Sequence, residues 1–435
     1  MPASSAAADR HRNRPRVLVL GGGFAGLAAA RALKKAPVDV ELVDVHDYHT
    51  FQPMLYQLAT GLVEASVVAH SLRDLFREQS NAMVHGATVE SIDLERKEVQ
   101  FGDMTPLDYD YLVIGLGGQA EFFGVEGAKE HAFPLYSLPD AVRLRTQLVA
   151  MWEQADRDPA LVADGALNVV VVGGGPTGIE SAGALAELYR EDLRKDFPGI
   201  PPDKTRLILV EAGPELFPMF KPQLRSYAAE ALEKHGVEVM TGEVVKRITP
   251  TRVELASGTV LPAHTLVWGA GLHASPVAAT LGVELEKGGR VPVEADLSLA
   301  GHPEVFVAGD SGWITDSKTS QVVPQLGSVA LQAGEHAGAT IARRVEGKPS
   351  KPFEYDDKGT MAAIARGAGV VQLPGGRTLK GKTAYLAWGA VHLTLLSAGE
   401  DRAKAVVDWT WAGLTHERAG RINVGADEAT TEARR

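Results

Sequence analysis

The chain has 435 residues, of which 45% are hydrophobic and 23% charged, and this composition is typical of a globular protein with roughly two to four domains. Its formal net charge of −11 disfavours a protein that binds nucleic-acid phosphates, so we predict no nucleic-acid partner. The absence of cysteine excludes disulfide bonds, thiolate metal sites and dithiol redox chemistry, and we predict no metal ligands.

The first stretch of the chain, residues 1–15, carries several arginines but no apolar segment. It therefore predicts a disordered tail and not a signal peptide. The longest apolar candidate, residues 384–399, is interrupted by His392 and Thr394. A membrane-spanning helix needs about 18 consecutive apolar residues, so we expect none in this chain.

Two segments of the chain are copies of each other. Residues 16–33 align without gaps to residues 168–185, and nine of the eighteen positions are identical. Each copy is an unbroken aliphatic run, then a glycine-rich turn, then an alanine-rich segment. This order is typical of a buried parallel strand that leads into a helix, so we predict one strand–turn–helix unit used twice.

Further aliphatic runs predict the other strands of the sheets. Two of them, residues 38–45 and 207–211, follow the repeated units, and three more lie at residues 111–116, 265–268 and 305–308. Strands that alternate with helices in this way predict an α/β protein with parallel sheets.

The segments outside this alternation are less regular. A polar insert between Glu187 and Arg206, residues 188–205, predicts a helical extension and a loop. Near the C-terminus, residues 351–355 and 360–367 predict strands, and residues 383–398 and 401–418 predict helices.

The first glycine turn contains the pattern Gly21-x-Gly23-x-x-Gly26, and Asp44 ends the next strand. Glycines permit a tight turn and a close backbone approach, a helix N-terminus attracts pyrophosphate, and an acid at that place accepts ribose hydroxyls. The combination predicts dinucleotide binding, although a glycine pattern alone is equally typical of a structural turn.

The second glycine turn repeats the pattern as Gly173-x-Gly175-x-x-Gly178, and Glu211 ends the strand that follows. A carboxylate here binds a free 2′-hydroxyl and repels a 2′-phosphate, so we predict a preference for NADH over NADPH. The alternative is that Glu211 only caps a loop. Two dinucleotide sites in one chain favour hydride transfer between a nicotinamide and a flavin.

Longer segments extend this pattern. The chain resembles the type II NADH:quinone oxidoreductases, the non-proton-pumping NADH dehydrogenases of respiratory chains, within the two-dinucleotide-binding-domain flavoproteins. The segments that carry the resemblance are residues 48–61, 109–118, 121–127, 173–188, 265–276, 305–312, 353–367 and 386–393.

The resemblance implies an α/β fold of two Rossmann-like dinucleotide-binding domains, the second inserted in the first, followed by a C-terminal α+β membrane-association region. The implied bounds are 16–120 and 296–348 for the FAD-binding domain, 121–295 for the NAD(H)-binding domain, 349–424 for the membrane-association region and 425–435 for a tail.

The resemblance also assigns the cofactor contacts. It gives FAD the first glycine turn with Asp44, and it places Asp310 at the ribityl-phosphate arm, where a helix N-cap is the alternative role. It gives NADH the second glycine turn with Glu211, and it places Ala270 and Gly271 in the nicotinamide cleft. The remaining predicted cofactor-binding residues are Ala25, Val89, Gly117, Val329, Pro176 and Thr177.

Three residues are predicted to act in catalysis. In the family pattern, Glu180 positions the nicotinamide carboxamide and relays a proton, whereas a surface glutamate is the alternative. Gln332 matches a glutamine beside the quinone, and its alternative is a helix-surface glutamine. Ser328 stands where the family usually has glutamine and reaches less far, which leaves the choice of quinone open.

The resulting expectation is FAD-dependent oxidation of NADH with two-electron reduction of a membrane quinone, menaquinone or ubiquinone, without proton pumping. The lack of cysteine excludes sulfide:quinone oxidoreductases and thiol-dependent reductases. Two alternatives stay open. One is an NADH oxidoreductase with a soluble acceptor, either ferredoxin-like or a small molecule, and the other is a non-catalytic NADH-binding protein.

The segment 401–418 predicts an amphipathic helix. Residues 376–424 carry seven basic and four acidic side chains, a local charge of +3. This combination favours the lipid interface, and we expect a peripheral protein on the cytoplasmic face of the cell membrane. The alternative is packing on the protein's own core or on a second subunit, which leaves a homodimer open. The stripe comprises Ala403, Val406, Val407, Thr410, Trp411 and Leu414, opposite Lys404, Asp408 and Arg418.

Overall fold

The computed structural model describes residues 14–418 and 420, which form two compact units. The predicted tail at residues 425–435, and all but the last two residues of the predicted tail at 1–15, lie outside the described residues. The first unit comprises residues 14–49, 70–119 and 272–357, and the second comprises residues 50–69, 120–271, 358–418 and 420.

The first unit is built on a six-stranded sheet. Its central strand, Arg16–Leu20, pairs in parallel with neighbours on both sides. Val19 faces one hydrophobic core and Leu20 the other, which explains why the sequence of this strand is aliphatic without interruption. The strand order is Ser298–Leu299, His302–Val307, Tyr111–Ile114, Arg16–Leu20, Asp39–Asp44 and Ala82–Gly86.

Two helices, Phe24–Ala32 and Gly327–Val345, pack against each other beside this sheet. They can approach closely because Gly334 has no side chain. A Cβ there would collide with the backbone of Ala25. The other elements of this unit are the strands Val89–Asp93, Glu98–Phe101, Leu107–Asp108, Leu272–Ala274, Val291–Pro292 and Gly312–Trp313, the helix Leu72–Leu75, and the 3-10 turns Pro276–Leu281 and Gly309–Ser311. Three short strands, Tyr48–Thr50, Ala69–Ser71 and Gly118–Ala120, cross the limits between the units in the sequence.

The second unit contains a five-stranded parallel sheet. Its central strand, Val169–Val172, is buried along its whole length. The strand order is Phe133–Pro134, Thr265–Trp268, Val169–Val172, Leu207–Glu211 and Val237–Thr241. This sheet lies in the sequence between strands of the first sheet, whose edge strand Ser298–Leu299 is antiparallel, so the predicted α/β class with two Rossmann-like folds is confirmed.

Helices and a second, antiparallel sheet complete this part of the second unit. The longest helix, Leu138–Arg157, begins at a capping box between Ser137 and Asp140. The predicted helical extension in the insert is the π-helix Leu188–Leu193. The other elements are the helices Leu55–Ala59, Ala65–Val68, Ala128–His131, Pro159–Ala163, Pro176–Glu187, Arg194–Asp196 and Pro222–Lys234, the strands Val245–Thr249, Arg252–Leu255 and Val260–Pro262, and the 3-10 turns Gln52–Met54 and Pro202–Lys204.

The C-terminal elements of the second unit begin with a strand that packs on its helix Pro176–Glu187, where a Cβ on Gly183 would collide with the carbonyl of Ile364. They are the strands Thr360–Ala365, Ala368–Gln372 and Thr378–Gly381, the 3-10 turn Pro374–Gly376, and the helices Lys382–Leu395 and Gly399–Thr415.

These elements correct part of the sequence interpretation. The strand expected at residues 360–367 and both C-terminal helices are confirmed, but two of the three strands were missed. The strand expected at residues 351–355 is wrong, because this segment is irregular. Phe353 is buried there, and its N–H donates to the carbonyl of Ala295 (2.7 Å). Phe353 is apolar because it is buried, and this apolar residue was mistaken for part of a strand.

The compact units and the predicted domains divide the chain differently. Residues 272–295 lie in the first unit, where Leu281 and Val291 pack with Leu112. Residues 358–418 belong to the second unit and form no third one. None of the helices in the described part of the chain combines the length and the apolar character that a membrane crossing needs.

Candidate functional site

The first glycine turn, residues 21–26, has a different steric reason for each glycine. Gly21 has a left-handed backbone (φ +99°), and a Cβ there would collide with the carbonyl of Gly115. A Cβ on Gly26 would collide with the carbonyl of Gly21, so this glycine lets the helix approach the strand. A Cβ on Gly23, in contrast, would meet no heavy atom within 4 Å. The surface above Gly23 is therefore open to a ligand.

Asp44 is fixed against this turn by two backbone N–H groups. Gly22 donates to its Oδ2 (2.5 Å), and His46 donates to its Oδ1 (2.7 Å). Burial raises the pKa of Asp44, and the two hydrogen bonds act in the opposite direction. Each oxygen keeps a lone pair that can accept a hydrogen bond from a ribose hydroxyl.

His49 supports the same turn, although sequence reasoning did not single it out. Its Nδ1 lies 2.8 Å from the carbonyl oxygen of Gly22, and its ring meets the edge of Phe24 with ring centroids 5.2 Å apart. Burial lowers the pKa of His49 to about 4, so the ring is neutral at physiological pH. Since a carbonyl can only accept, Nδ1 carries the proton. The only available signal was its place in the family-like segment at residues 48–61.

The second glycine turn, residues 173–178, has the same steric pattern. Gly173 is left-handed (φ +110°), a Cβ on Gly178 would collide with the carbonyl of Gly173, and a Cβ on Gly175 would meet nothing within 4 Å. Glu211 takes the place of the first acid and accepts the N–H groups of Gly174 and Gly213, both at 2.5 Å.

A cavity of about 470 Å³ opens at the second glycine turn, within the range typical of small-molecule sites. It brings together five residues predicted from the sequence, namely Gly173, Gly175, Glu211, Ala270 and Gly271. Pro176, Thr177 and Gly178 follow directly as the first residues of the helix. The remaining lining residues are Phe123, Val125, Val172, Gly174, Val210, Ala212, Glu243, Val244, Val245, Trp268 and Gly269.

Glu180 is buried in the second unit, so the alternative of a surface glutamate is wrong. Its Oε1 accepts the N–H of Ala363 (3.0 Å), and Trp388 also donates to it. Burial raises the pKa of Glu180 to about 8, against the effect of these two donors. The carboxyl group therefore carries a proton at neutral pH.

Ser328 and Gln332 lie on the helix Gly327–Val345 and are both hydrogen-bonded within the first unit. The Oγ of Ser328 is 3.0 Å from the hydroxyl of Tyr355. The amide of Gln332 donates to the carbonyl of Asp356 (3.0 Å) and accepts its N–H (2.9 Å). Ser328 and Gln332 thus hold the segment at residues 355–356. The side-chain NH2 and carbonyl of Gln332 each keep only part of their hydrogen-bonding capacity for a ligand.

The other predicted cofactor-binding residues of the first unit differ in what they can offer. Asp310 lies in a 3-10 turn whose N-cap is Ala308, so the N-cap role is wrong for Asp310. Ala25 and Val329 are buried, which limits a ligand to little more than their backbone. Gly117 is left-handed, and Val89 begins a strand with its side chain half-buried.

The predicted apolar stripe on the helix Gly399–Thr415 faces solvent in the described part of the chain. Val407, Trp411 and Leu414 are all more than half exposed, so packing of the stripe on the protein's own core is wrong. The opposite face is held by Trp409, whose indole donates to Gln57 (2.8 Å). The other members, Ala403, Val406 and Thr410, are exposed too, and Leu386, Val391 and Leu395 on the preceding helix are also exposed.

Arg418 was expected on the polar side of this helix, but it is buried. The chain turns at His416, which has a left-handed backbone, and returns to the core. There the Arg418 guanidinium pairs with Glu187 (3.0 Å) and Asp192 (3.4 Å). A buried guanidinium needs such partners to offset its desolvation, and Arg418 therefore adds no positive charge to the exposed surface.

Comparison with known proteins places these features in a family. The model of the pyridine nucleotide-disulphide oxidoreductases matches residues 15–334. The type II NADH:quinone oxidoreductase Ndh of Mycobacterium tuberculosis is 35% identical over 97% of this chain and 92% of its own length. The type II NADH:quinone oxidoreductase of Staphylococcus haemolyticus is 31% identical over 86% of this chain and 93% of its own.

A solved structure has the same fold. The structure of NDH2 from Plasmodium falciparum in complex with NADH matches with a TM-score of 0.86 at 18% sequence identity. The match covers 95% of this chain and 100% of that one.

Proposed function

The chain belongs to the type II NADH:quinone oxidoreductases, within the pyridine nucleotide-disulphide oxidoreductase family, and from this premise we propose its reaction. It oxidises NADH and passes two electrons to a membrane quinone, menaquinone or ubiquinone, with FAD as its cofactor and without proton pumping. The observation that carries the proposal is the pair of glycine turns, each with an open central glycine and an oriented acid.

FAD fits the first glycine turn. The open surface above Gly23, at the start of a helix, suits a pyrophosphate, and the fixed carboxylate of Asp44 suits a ribose. Gly21 and Gly26 hold the backbone in that form. When bound, FAD supplies a centre that accepts a hydride from NADH and gives two electrons to a quinone.

NADH fits the second glycine turn, and the cavity there supports this choice. The carboxylate of Glu211 lies at the cavity wall, where it accepts the 2′-hydroxyl of the adenosine ribose and repels a 2′-phosphate. Gly175 leaves room for the pyrophosphate. The preference for NADH over NADPH follows from the charge of this one side chain.

The three predicted catalytic residues keep their roles in this proposal. The protonated carboxyl of Glu180 can donate a hydrogen bond to the nicotinamide carboxamide or give up a proton. Ser328 and Gln332 border the quinone. Since both are already hydrogen-bonded to residues 355–356, they offer the quinone a fixed polar edge.

Anaerobic titration tests the reaction. The purified protein should be yellow from bound flavin, NADH should bleach the flavin band, and a menaquinone or ubiquinone analogue should restore it. A protein without flavin absorbance, or one whose flavin NADH does not bleach, contradicts the proposal. Reoxidation by ferredoxin or a soluble dye but by neither quinone would instead identify a soluble acceptor. A pH-sensitive dye inside sealed vesicles should record no proton uptake during turnover.

Membrane association is part of the proposal and rests on the exposed apolar side chains of the helix Gly399–Thr415. Apolar side chains next to tryptophan and basic residues suit the lipid interface on the cytoplasmic face of the cell membrane. We expect the triple change Val407→Ser, Trp411→Ser and Leu414→Ser to release the protein from anionic liposomes. The matched control is Val260→Ser, which changes an exposed apolar residue on the strand Val260–Pro262, away from this helix. A triple variant that still sediments with lipid, but has half the native mass, would assign the surface to a dimer.

A further inference from the structure

We propose that Phe123 covers the nicotinamide half of NADH in the cavity of the second unit, an inference that rests on the proposed function. Phe123 lines this cavity, yet 66% of its side chain is exposed to solvent. Burial of a large aromatic side chain is favourable, and a ligand in the cavity would cover the exposed part of this ring. The ring is thus placed to be buried by what enters.

The backbone of Phe123 is held in an unusual conformation. Its φ is +51°, in the left-handed region that bulky residues seldom adopt. Such conformations cost free energy and cluster at ligand-binding sites. An aromatic side chain thus occupies a position whose left-handed backbone disfavours it.

Neighbouring hydrogen bonds make the turn around Phe123 rigid. The N–H of Phe123 donates to the carboxylate of Glu121 (2.7 Å). The carbonyl of Glu121 accepts the indole N–H of Trp268 (2.9 Å), and its N–H donates to the carbonyl of Gly271 (3.4 Å). These bonds tie the turn that carries the ring to the end of the strand Thr265–Trp268, and the ring already lines the cavity.

The sheet order shows which half of the dinucleotide lies beneath the ring. The strand that ends at Glu211 lies on one side of the central strand Val169–Val172, and the strand that leads to Gly271 lies on the other. The acid takes the adenosine ribose and the pyrophosphate crosses the glycine turn, so the nicotinamide half extends towards Gly271. Phe123 lies there, because a Cβ on Gly271 would collide with its ring.

Val244 supplies the contrast at the other end of the cavity. It is half exposed and lines the same cavity. It follows Glu243, whose N–H donates to the carbonyl of Glu211 (3.1 Å). Val244 is therefore on the adenosine side, whereas Phe123 is on the nicotinamide side.

Binding of two ligands tests the assignment by calorimetry on the holoenzyme. The ligands are 1,4,5,6-tetrahydro-NADH, which carries both halves but cannot transfer a hydride, and ADP, which lacks the nicotinamide half. Phe123→Ala should weaken tetrahydro-NADH about tenfold, the loss expected for an aromatic contact, and leave ADP unchanged. Val244→Ala should weaken both ligands by a similar factor. Val260→Ala, outside the cavity, should change neither.

Conservative variants separate a contact with the ligand from a purely structural role. Phe123→Tyr should restore tight binding of tetrahydro-NADH, and Phe123→Leu should restore it in part. If Phe123→Ala weakens ADP as much as tetrahydro-NADH, or weakens neither, the assignment of Phe123 is overturned while the NADH site stands. If the wild-type protein binds ADP but not tetrahydro-NADH, the proposed function fails and the inference fails with it.

Discussion

The two glycine turns have one backbone geometry and different supports. In the first turn, the carbonyl of Gly22 accepts a hydrogen bond from the side chain of His49 (2.8 Å). In the second turn, the matching carbonyl of Gly174 accepts the backbone N–H of Phe217 (2.8 Å). Glycine sterics determine the turn, so the turn recurs wherever the sequence pattern recurs. The groups that hold it in place come from elsewhere in the chain and have diverged.

The helices after the two turns differ in the same way. Two residues beyond the third glycine, the first helix has Ala28 and the second has the buried Glu180. Alanine can contribute only packing, whereas a buried, protonated carboxyl group can donate a hydrogen bond. In the proposed function, the shared geometry serves nucleotide binding, and the positions that differ serve the separate tasks of the two sites.

The largest expected effect comes from the open glycines. Gly23→Ala and Gly175→Ala add a methyl group that meets nothing in the fold but occupies the space of a pyrophosphate. We expect Gly23→Ala to be purified without flavin. Gly175→Ala should keep its flavin, and its reduction by NADH should slow by roughly a hundredfold, as for a misplaced substrate. Flavin absorbance and stopped-flow reduction measure the two outcomes.

The third glycine of each turn provides the contrast. Gly26→Ala and Gly178→Ala place a Cβ against a backbone carbonyl, so both should fail to fold and not only lose a ligand. A Gly23→Ala protein with a full complement of flavin would contradict the assignment of FAD to the first turn.

The next effect concerns the two acids. Glu211→Gln removes the charge that accepts the ribose hydroxyl and repels a 2′-phosphate, and a hydrogen bond to a charged group contributes about 1.5–3 kcal/mol. The kcat/KM for NADH should fall by roughly 10- to 100-fold, while that for NADPH should rise because the repulsion of its 2′-phosphate is removed. Asp44→Asn, the matched change in the first turn, should lower flavin retention and leave the cofactor preference unchanged. Equal preference shifts in both variants would argue against separate sites.

What the sequence predicts well is what neighbouring residues determine. The aliphatic strands and the glycine turns follow from residues within a few positions of one another, and Asp44 and Glu211 are marked by their place at the end of the next strand. The structure confirms those elements. His49 was missed because no sequence pattern pairs a histidine at this place with Gly22, which is 27 positions away. Arg418 was placed on the surface for the same reason, since its partner Glu187 is 231 positions away. Long-range polar pairing is not encoded in a periodic pattern.

A smaller effect concerns the pH dependence that Glu180 adds to the second unit. Burial raises its pKa from the usual 4.5 to about 8, so the folded protein binds this proton more strongly than the unfolded chain does. The free energy of unfolding should therefore fall as the pH rises from about 4.5 to about 8. Glu180→Gln removes this dependence, so the Tm of the variant relative to the wild type should rise across that pH range.

The control for Glu180 is Glu233→Gln, on an exposed helix surface of the same unit, whose Tm should follow the wild type at every pH. A Glu180→Gln curve that runs parallel to the wild type would mean that the carboxyl group is ionised in the folded protein. It would then be unable to donate a hydrogen bond to the nicotinamide carboxamide.

The smallest expected effect separates the two supports of the glycine turns. Burial lowers the pKa of His49 to about 4, so its ring is neutral and its one N–H is committed to the carbonyl of Gly22. His49→Leu leaves that buried carbonyl without a donor, at a cost of about 1–3 kcal/mol. We expect a partial loss of flavin, measured as the ratio of flavin to protein. His49→Asn should restore the ratio, because the Nδ2 of asparagine occupies the place of the histidine Nδ1.

No side-chain change at Phe217 can have a matching effect on the second turn, since the group that donates to the carbonyl of Gly174 is the backbone N–H of Phe217. If leucine and asparagine lower the flavin ratio equally, the histidine acts by packing alone, and the difference between the two supports loses its functional meaning.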